Sequence, residues 1–222
     1  MHKFIGDYPV FLPVVLRATP LGLDRRLSPS TEIVIEGFTR SGNTFTAFAF
    51  EQAQTRPVEM KSHVHVPSQV KLAVRRGVPT MVLLRPPLDT LTSLMVGVPH
   101  LGARRALWEY GHHHREIHPY RSGFLAVRFE EVTTDAGAVI ERFNARFGTD
   151  FEPFEHTEEN VQEVFAAIDA HHARVHPKEA DLAPRPSDQR REQAERVRAE
   201  LMAPELEELR ARADASYRAL LP

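Results

Sequence analysis

Apolar residues along the chain fall into short unbroken runs and longer periodic stretches. Ile33–Gly37 reads IVIEG and Thr80–Leu84 reads TMVLL. Short runs of this kind, bounded by turn residues, predict strands buried on both faces. Val58–Lys61 and Phe124–Phe129 predict two more. Between them the apolar spacing changes to the helical period. Helices are expected over Asn43–Gln54, with Phe45, Phe48 and Ala49 on one face, from Pro67 to about Arg76, and over Leu88–Val96, Gly102–His118, Asp135–Phe147 and Glu159–His172. Pro67 suits a first helical turn. Gly77 ends that helix, and Pro86 and Pro87 stop the TMVLL strand. Strands alternating with helices predict an α/β fold of three layers, with a central parallel sheet wound by helical crossovers.

The two ends of the chain read differently. Pro9–Leu16 is apolar, but it is broken by Pro13 and too short to span a bilayer. No small-residue cleavage site follows it, which argues against a signal peptide. Residues 1–30 are expected to cap the domain. Val175–Pro186 is a polar, proline-punctuated loop. From Ser187, a good N-cap, a charged helix is expected to lie on the domain with Leu201, Leu206 and Leu209 inward. No repeat is visible, and 222 residues suit one domain spanning 1–222.

Composition narrows the chemistry. There is no cysteine, which excludes disulfides, zinc–thiolate sites and thiol catalysis and fits a cytoplasmic protein. The net charge of -2 supplies no whole-molecule field for nucleic acid or an anionic membrane. An anion site must therefore be local.

Gly37-Phe-Thr-Arg-Ser-Gly42-Asn43-Thr44 has the spacing of the ATP-type phosphate loop, Gly-x-x-x-x-Gly-Lys-Ser/Thr, with Asn43 in the lysine position. Glycines let backbone amides point inward, and the following helix N-terminus adds positive potential. Ser41, Asn43 and Thr44 offer further donors. The cation that reaches β- and γ-phosphates is missing, and Arg40 offers a cation elsewhere in the loop. The TMVLL strand ends in Arg85 rather than in the acid that would hold magnesium. The loop thus suits a phosphate-like anion better than ATP hydrolysis.

Two motifs together resemble the sulfotransferases that use 3′-phosphoadenosine 5′-phosphosulfate (PAPS), a family with a phosphate-loop NTPase-like fold. The family's first motif reads roughly Pro-Lys/Arg-Ser-Gly-Thr/Ser-Thr/Ser-Trp/Phe; here Thr39–Phe45 is TRSGNTF. Its second reads roughly Arg-x-Pro-x-Asp-x-x-x-Ser; here Arg85–Ser93 is RPPLDTLTS. Lys61-Ser62-His63 resembles the Lys-Thr-His segment of the cytosolic branch, and Val127–Val132 resembles a later strand end. The resemblance covers about Ile33 to Phe147.

The resemblance implies the following roles. Arg40, Ser41, Gly42, Asn43 and Thr44 hold the 5′-phosphosulfate, and Phe45 lies against the adenine. Arg85 and Ser93 bind the 3′-phosphate. His63 is the general base, with Lys61 nearby, and Arg40 stabilises the leaving phosphate. No metal is needed. The family's Arg-Lys-Gly segment has no clean counterpart; Arg185, Arg190 or Arg191 stands in for it. The expected reaction is sulfuryl transfer from PAPS to a hydroxyl or amine of a small-molecule acceptor, with no nucleic-acid partner. A homodimer stays open.

Other readings of the residues stay open too. Alternation along an extended segment puts His65 on the same face as His63, so His65 competes for the role of base. His112, His113 and His114 cannot converge on one ion from a helix, though His114 and His118 are four apart; a solvated or acceptor-lining face is expected there. Trp108 is expected in the core, and Asp89 at the start of its helix. Competing functions are a phosphate-loop nucleotide kinase and a nucleotide-binding protein without activity.

Overall fold

The computed structural model describes residues 7–8, 26–175 and 188–221. Four parallel strands form its centre: β1 (Ile33–Gly37), β2 (Met60–Ser62), β3 (Thr80–Leu84) and β4 (Leu125–Arg128), in the order β2-β1-β3-β4. Val34 lies opposite Lys61 on one side and Thr80 on the other. Leu83 lies beside Val127.

The helices are α1 (Asn43–Ala53), α2 (Pro67–Arg75), α3 (Pro87–Gly97), α4 (Ala103–Ile117), α5 (Phe129–Thr134), α6 (Ala136–Phe147), α7 (Glu158–Val175), α8 (Asp188–Leu201) and α9 (Glu207–Arg218). They cover both faces of the sheet. Met81 and Leu83 point into a cluster with Phe50, Ile140 and Phe143. Their neighbours Val82 and Leu84 point the other way, onto Val70, Leu91 and Tyr110. A strand covered on both faces has no polar side to show, which is why β1 and β3 read as unbroken runs. Each such side chain contributes about 1.5–3 kcal/mol by leaving water.

Three expectations change. β2 starts at Met60, not Val58; the Met60 amide turns back to donate to the Val58 carbonyl at 2.9 Å rather than joining the ladder. β4 stops at Arg128, where the Glu131 carboxylate accepts from the Arg128 amide at 2.7 Å and starts α5, a helix the sequence reading did not separate. The C-terminal helix is two helices: α8 ends at Leu201, Pro204 opens a short 3-10 turn, and α9 follows. Proline has no N–H to continue a helix. Leu201 and Leu206 are nevertheless buried as expected, and Leu209 packs beside them.

The N-terminal segment is described at Asp7 and Tyr8. The Asp7 carboxylate lies 2.6 Å from His112 Nε2, and its carbonyl accepts from Lys71 at 2.8 Å. The loop expected over Val175–Pro186 and the Ser187 cap fall almost wholly outside the described residues. No described helix is long and apolar enough to cross a membrane.

Candidate functional site

The site lies where β1, β2 and β3 end, at the C-terminal edge of a parallel sheet. There strand ends and helix N-termini converge.

The loop after β1 is held by close approach. A Cβ on Gly37 would stand 2.6 Å from the Leu83 carbonyl oxygen of β3, so only glycine fits. Gly42 has φ +94°, and a Cβ there would meet the Phe129 ring at 2.9 Å. Arg40 also has left-handed φ, +72°. Asn43 Nδ2 donates to the Phe38 carbonyl at 3.1 Å, and its side chain is buried. Asn43 therefore braces the loop from inside rather than offering its side chain to a ligand, a departure from the expectation. Ser41 is fully buried, and neither its Oγ nor Asn43 Oδ1 has a hydrogen-bond partner. Buried hydroxyls are almost always paired, and Ser41 belongs to a loop that opens an eleven-residue helix.

The β3 side brings cations. Arg85 Nη1 donates to the Arg40 carbonyl at 3.1 Å, and Arg40 Nε donates to Ser93 Oγ at 3.2 Å. The two sequence motifs thus meet through Arg40. The Arg85 guanidinium lies 4.2 Å from the centre of the Phe129 ring. Its half-buried position lowers its pKa, and it stays charged. Two donors fix its carbonyl: Thr90 Oγ1 at 3.1 Å and the Tyr110 hydroxyl at 2.5 Å. Burial pushes the Tyr110 hydroxyl well up, which keeps it a donor. Asp89 sits in the first turn of α3, as expected, and pairs with Arg198 at 3.2 Å.

The β2 side brings histidines. The extended segment expected there is absent, because β2 ends at Ser62 and both His63 (φ +62°) and His65 (φ +56°) are left-handed. Their rings still meet, with centroids 5.6 Å apart. His63 Nε2 lies 3.1 Å from Thr44 Oγ1, and its Nδ1 lies 2.6 Å from Ser62 Oγ. His65 Nδ1 lies 2.9 Å from the Gly37 carbonyl. Lys61 is turned aside into a 2.6 Å ion pair with Glu59.

Beneath the histidines lies Glu36, 1% exposed. Its Oε1 accepts the Val64 amide at 2.8 Å and its Oε2 the His65 amide at 3.1 Å. Left-handed backbone costs about 1–2 kcal/mol per residue. Hydrogen bonds to a charged group are worth about 1.5–3 kcal/mol each. The two bonds from Glu36 are therefore of the right size to offset the strain at His63 and His65. Sequence reasoning missed Glu36. Its one signal was a lone charge inside an otherwise apolar strand.

Phe45 is not open to a ligand in the way the resemblance implies. It is mostly buried, and packs against Phe154, His156 and Phe165. Of the arginines named as stand-ins, Arg185 lies outside the described residues, Arg190 is placed by its backbone in α8, and Arg191 is an exposed residue of α8. The α4 histidines are not a solvated face: His113 and His114 are buried, with His114 stacked on Tyr110 at 4.1 Å. Trp108, expected in the core, is exposed and stacks on His112 at 4.8 Å. It borders a cavity of about 710 Å³ between α4 and the C-terminal helices, which no residue of the loop site lines. Among the described residues, no group of three or more acidic or histidine side chains is placed to share a metal ion.

Compared with protein-family models, with curated proteins and with solved structures, the chain matches none.

Proposed function

We propose that the protein is a sulfotransferase with a phosphate-loop NTPase-like fold, moving a sulfuryl group from PAPS to a hydroxyl or amine of a small molecule in the cytoplasm. The observation that carries the reading is the junction of the two motifs. Arg40 links the Gly37–Thr44 loop to Ser93 by its side chain and to Arg85 by its carbonyl. Two guanidinium-bearing residues at one loop suit a ligand with two separate anionic groups, such as a 5′-phosphosulfate and a 3′-phosphate.

Charge in such a transfer builds on the oxygen bridging sulfur and phosphorus as the bond to sulfur lengthens. A fixed cation and oriented amides at that oxygen lower the barrier. The reading gives this part to Arg40, which would act electrostatically, because a guanidinium does not readily surrender its proton. Gly42 and Thr44 supply loop donors, and Arg85 with Ser93 takes the 3′-phosphate. A histidine of the 63–65 segment accepts the acceptor's proton; the resemblance assigns this to His63.

A kinase would need an acid at the end of β3 for magnesium, and that position is Arg85. The test is thermal stabilisation. Adenosine 3′,5′-bisphosphate at 100 times its dissociation constant should stabilise the protein by about 2.7 kcal/mol, and ATP with magnesium should do far less. Stabilisation by ATP alone overturns the reading and points to a nucleotide kinase.

A further inference from the structure

The geometry points to His65, not His63, as the residue that receives the acceptor's proton, with Glu36 as its positioning residue. This rests on the sulfotransferase reading and sharpens it.

A general base needs an open lone pair. Both nitrogens of His63 lie within hydrogen-bond reach of hydroxyls, Ser62 Oγ at Nδ1 and Thr44 Oγ1 at Nε2. His65 is different. A carbonyl oxygen can only accept, so the contact with Gly37 makes Nδ1 the N–H of the ring. In a neutral imidazole this leaves Nε2 with the lone pair. Among the described residues, Nε2 takes no hydrogen bond. The ring is partly open, with its side chain 23% exposed. It is anchored to the first residue of the phosphate loop, so any shift of the loop carries the base with it.

Glu36 completes the arrangement. Its carboxylate holds the His65 amide and the Val64 amide, and Oε2 lies 3.9 Å from His65 Nδ1. The two amide bonds fix the backbone that carries the ring, so Glu36 sets where Nε2 points. The groups facing the ring are thus Gly37, Glu36 and His63.

The acceptor's O–H or N–H bond breaks, and its proton goes to Nε2 of His65. The freed electron pair forms the bond to sulfur. The bond from sulfur to the bridging oxygen breaks, and its pair stays on the phosphate of adenosine 3′,5′-bisphosphate.

Asparagine substitution separates the two histidines. Asparagine tolerates left-handed φ, and its amide N–H₂ can replace Nδ1 on the Gly37 carbonyl, but it cannot take a proton. His65→Asn should lower kcat roughly 100-fold or more while the bisphosphate still stabilises the protein. His63→Asn should lose at least tenfold less. Glu36→Gln keeps the side chain's shape and one acceptor; it should lower kcat about tenfold or more, with KM for PAPS little changed. In wild-type protein, long-range 1H–15N spectra should show His65 as a single Nδ1–H tautomer, and Glu36→Gln should blur it. A His63→Asn protein that is dead beside an active His65→Asn protein overturns the assignment. An unchanged His65 tautomer and unchanged kcat in Glu36→Gln overturns the positioning role. Wild-type protein that fails to bind the bisphosphate overturns the sulfotransferase reading itself, an outcome visible without any variant.

Discussion

The histidines of the β2–α2 connection and those of α4 are the same residue type under opposite conditions. His63 and His65 sit on left-handed backbone at the edge of the sheet, partly open and ringed by polar atoms. His112, His113 and His114 sit on regular helix, with the last two buried against Phe38 and Tyr110. At the sheet edge the fold spends backbone strain to aim imidazoles. In α4 it spends nothing on the backbone and instead holds a buried ring away from water. Clustering of histidines therefore says little about chemistry; the conformation beneath them says more.

Three measurements would break or sharpen that contrast. The largest effect is expected from pH. Burial lowers the His114 pKa from 6.5 to about 4, opposed in part by its bond to the Tyr110 carbonyl. Between those values the unfolded chain binds a proton that the folded chain refuses. Stability is thus complete above about pH 6.5 and falls as pH drops toward 4, by about 3 kcal/mol in all. In His114→Phe this part of the acid loss should vanish, read from urea midpoints at pH 7 and pH 4.5. An identical acid loss in the variant would show that His114 is not a neutral core group.

Glycine substitution should have opposite signs in the two clusters. His112→Gly places glycine inside a helix and removes the contact with Asp7, and should cost about 2 kcal/mol by urea unfolding. His63→Gly relieves a left-handed residue, and the relief exceeds the added entropy of the unfolded chain by up to about 1 kcal/mol. That variant should be as stable as wild type or slightly more so. A clear loss at His63→Gly would mean that its bonds to Ser62 and Thr44 outweigh the strain.

Much of the fold was legible because burial leaves an unmistakable trace. β1 and β3 have the bounds their apolar runs imply, Pro67 opens α2, and Gly77 stands two residues past its end at Arg75. The misplaced edges, at β2 and β4, are set by single hydrogen bonds, from the Met60 amide to Val58 and from the Arg128 amide to Glu131, which periodicity does not register. The Gly37–Thr44 turn between β1 and α1 could be anticipated from spacing, but the bonds that tie Arg40 to Arg85 and Ser93 could not. The histidine geometry could not. Positive φ at His63 and His65 has only a faint sequence cue, since histidine adopts it more often than most residues but far less often than glycine. Glu36 supports that geometry from the neighbouring strand, a pairing of distant residues that no local pattern encodes. Asn43 and Phe45 fell in motif positions, yet their side chains serve the interior.

The Phe129 ring touches two things at once: the space a side chain on Gly42 would need, and the guanidinium of Arg85. Seen over generations of sequence change, this makes the three positions a linked set. A smaller residue at 129 would make room for an alanine at 42 but would strip Arg85 of its aromatic cushion, so drift at any one of them is policed by the other two. Related chains should therefore change these positions together or not at all, which offers a sign of kinship that does not depend on the loop motif being intact.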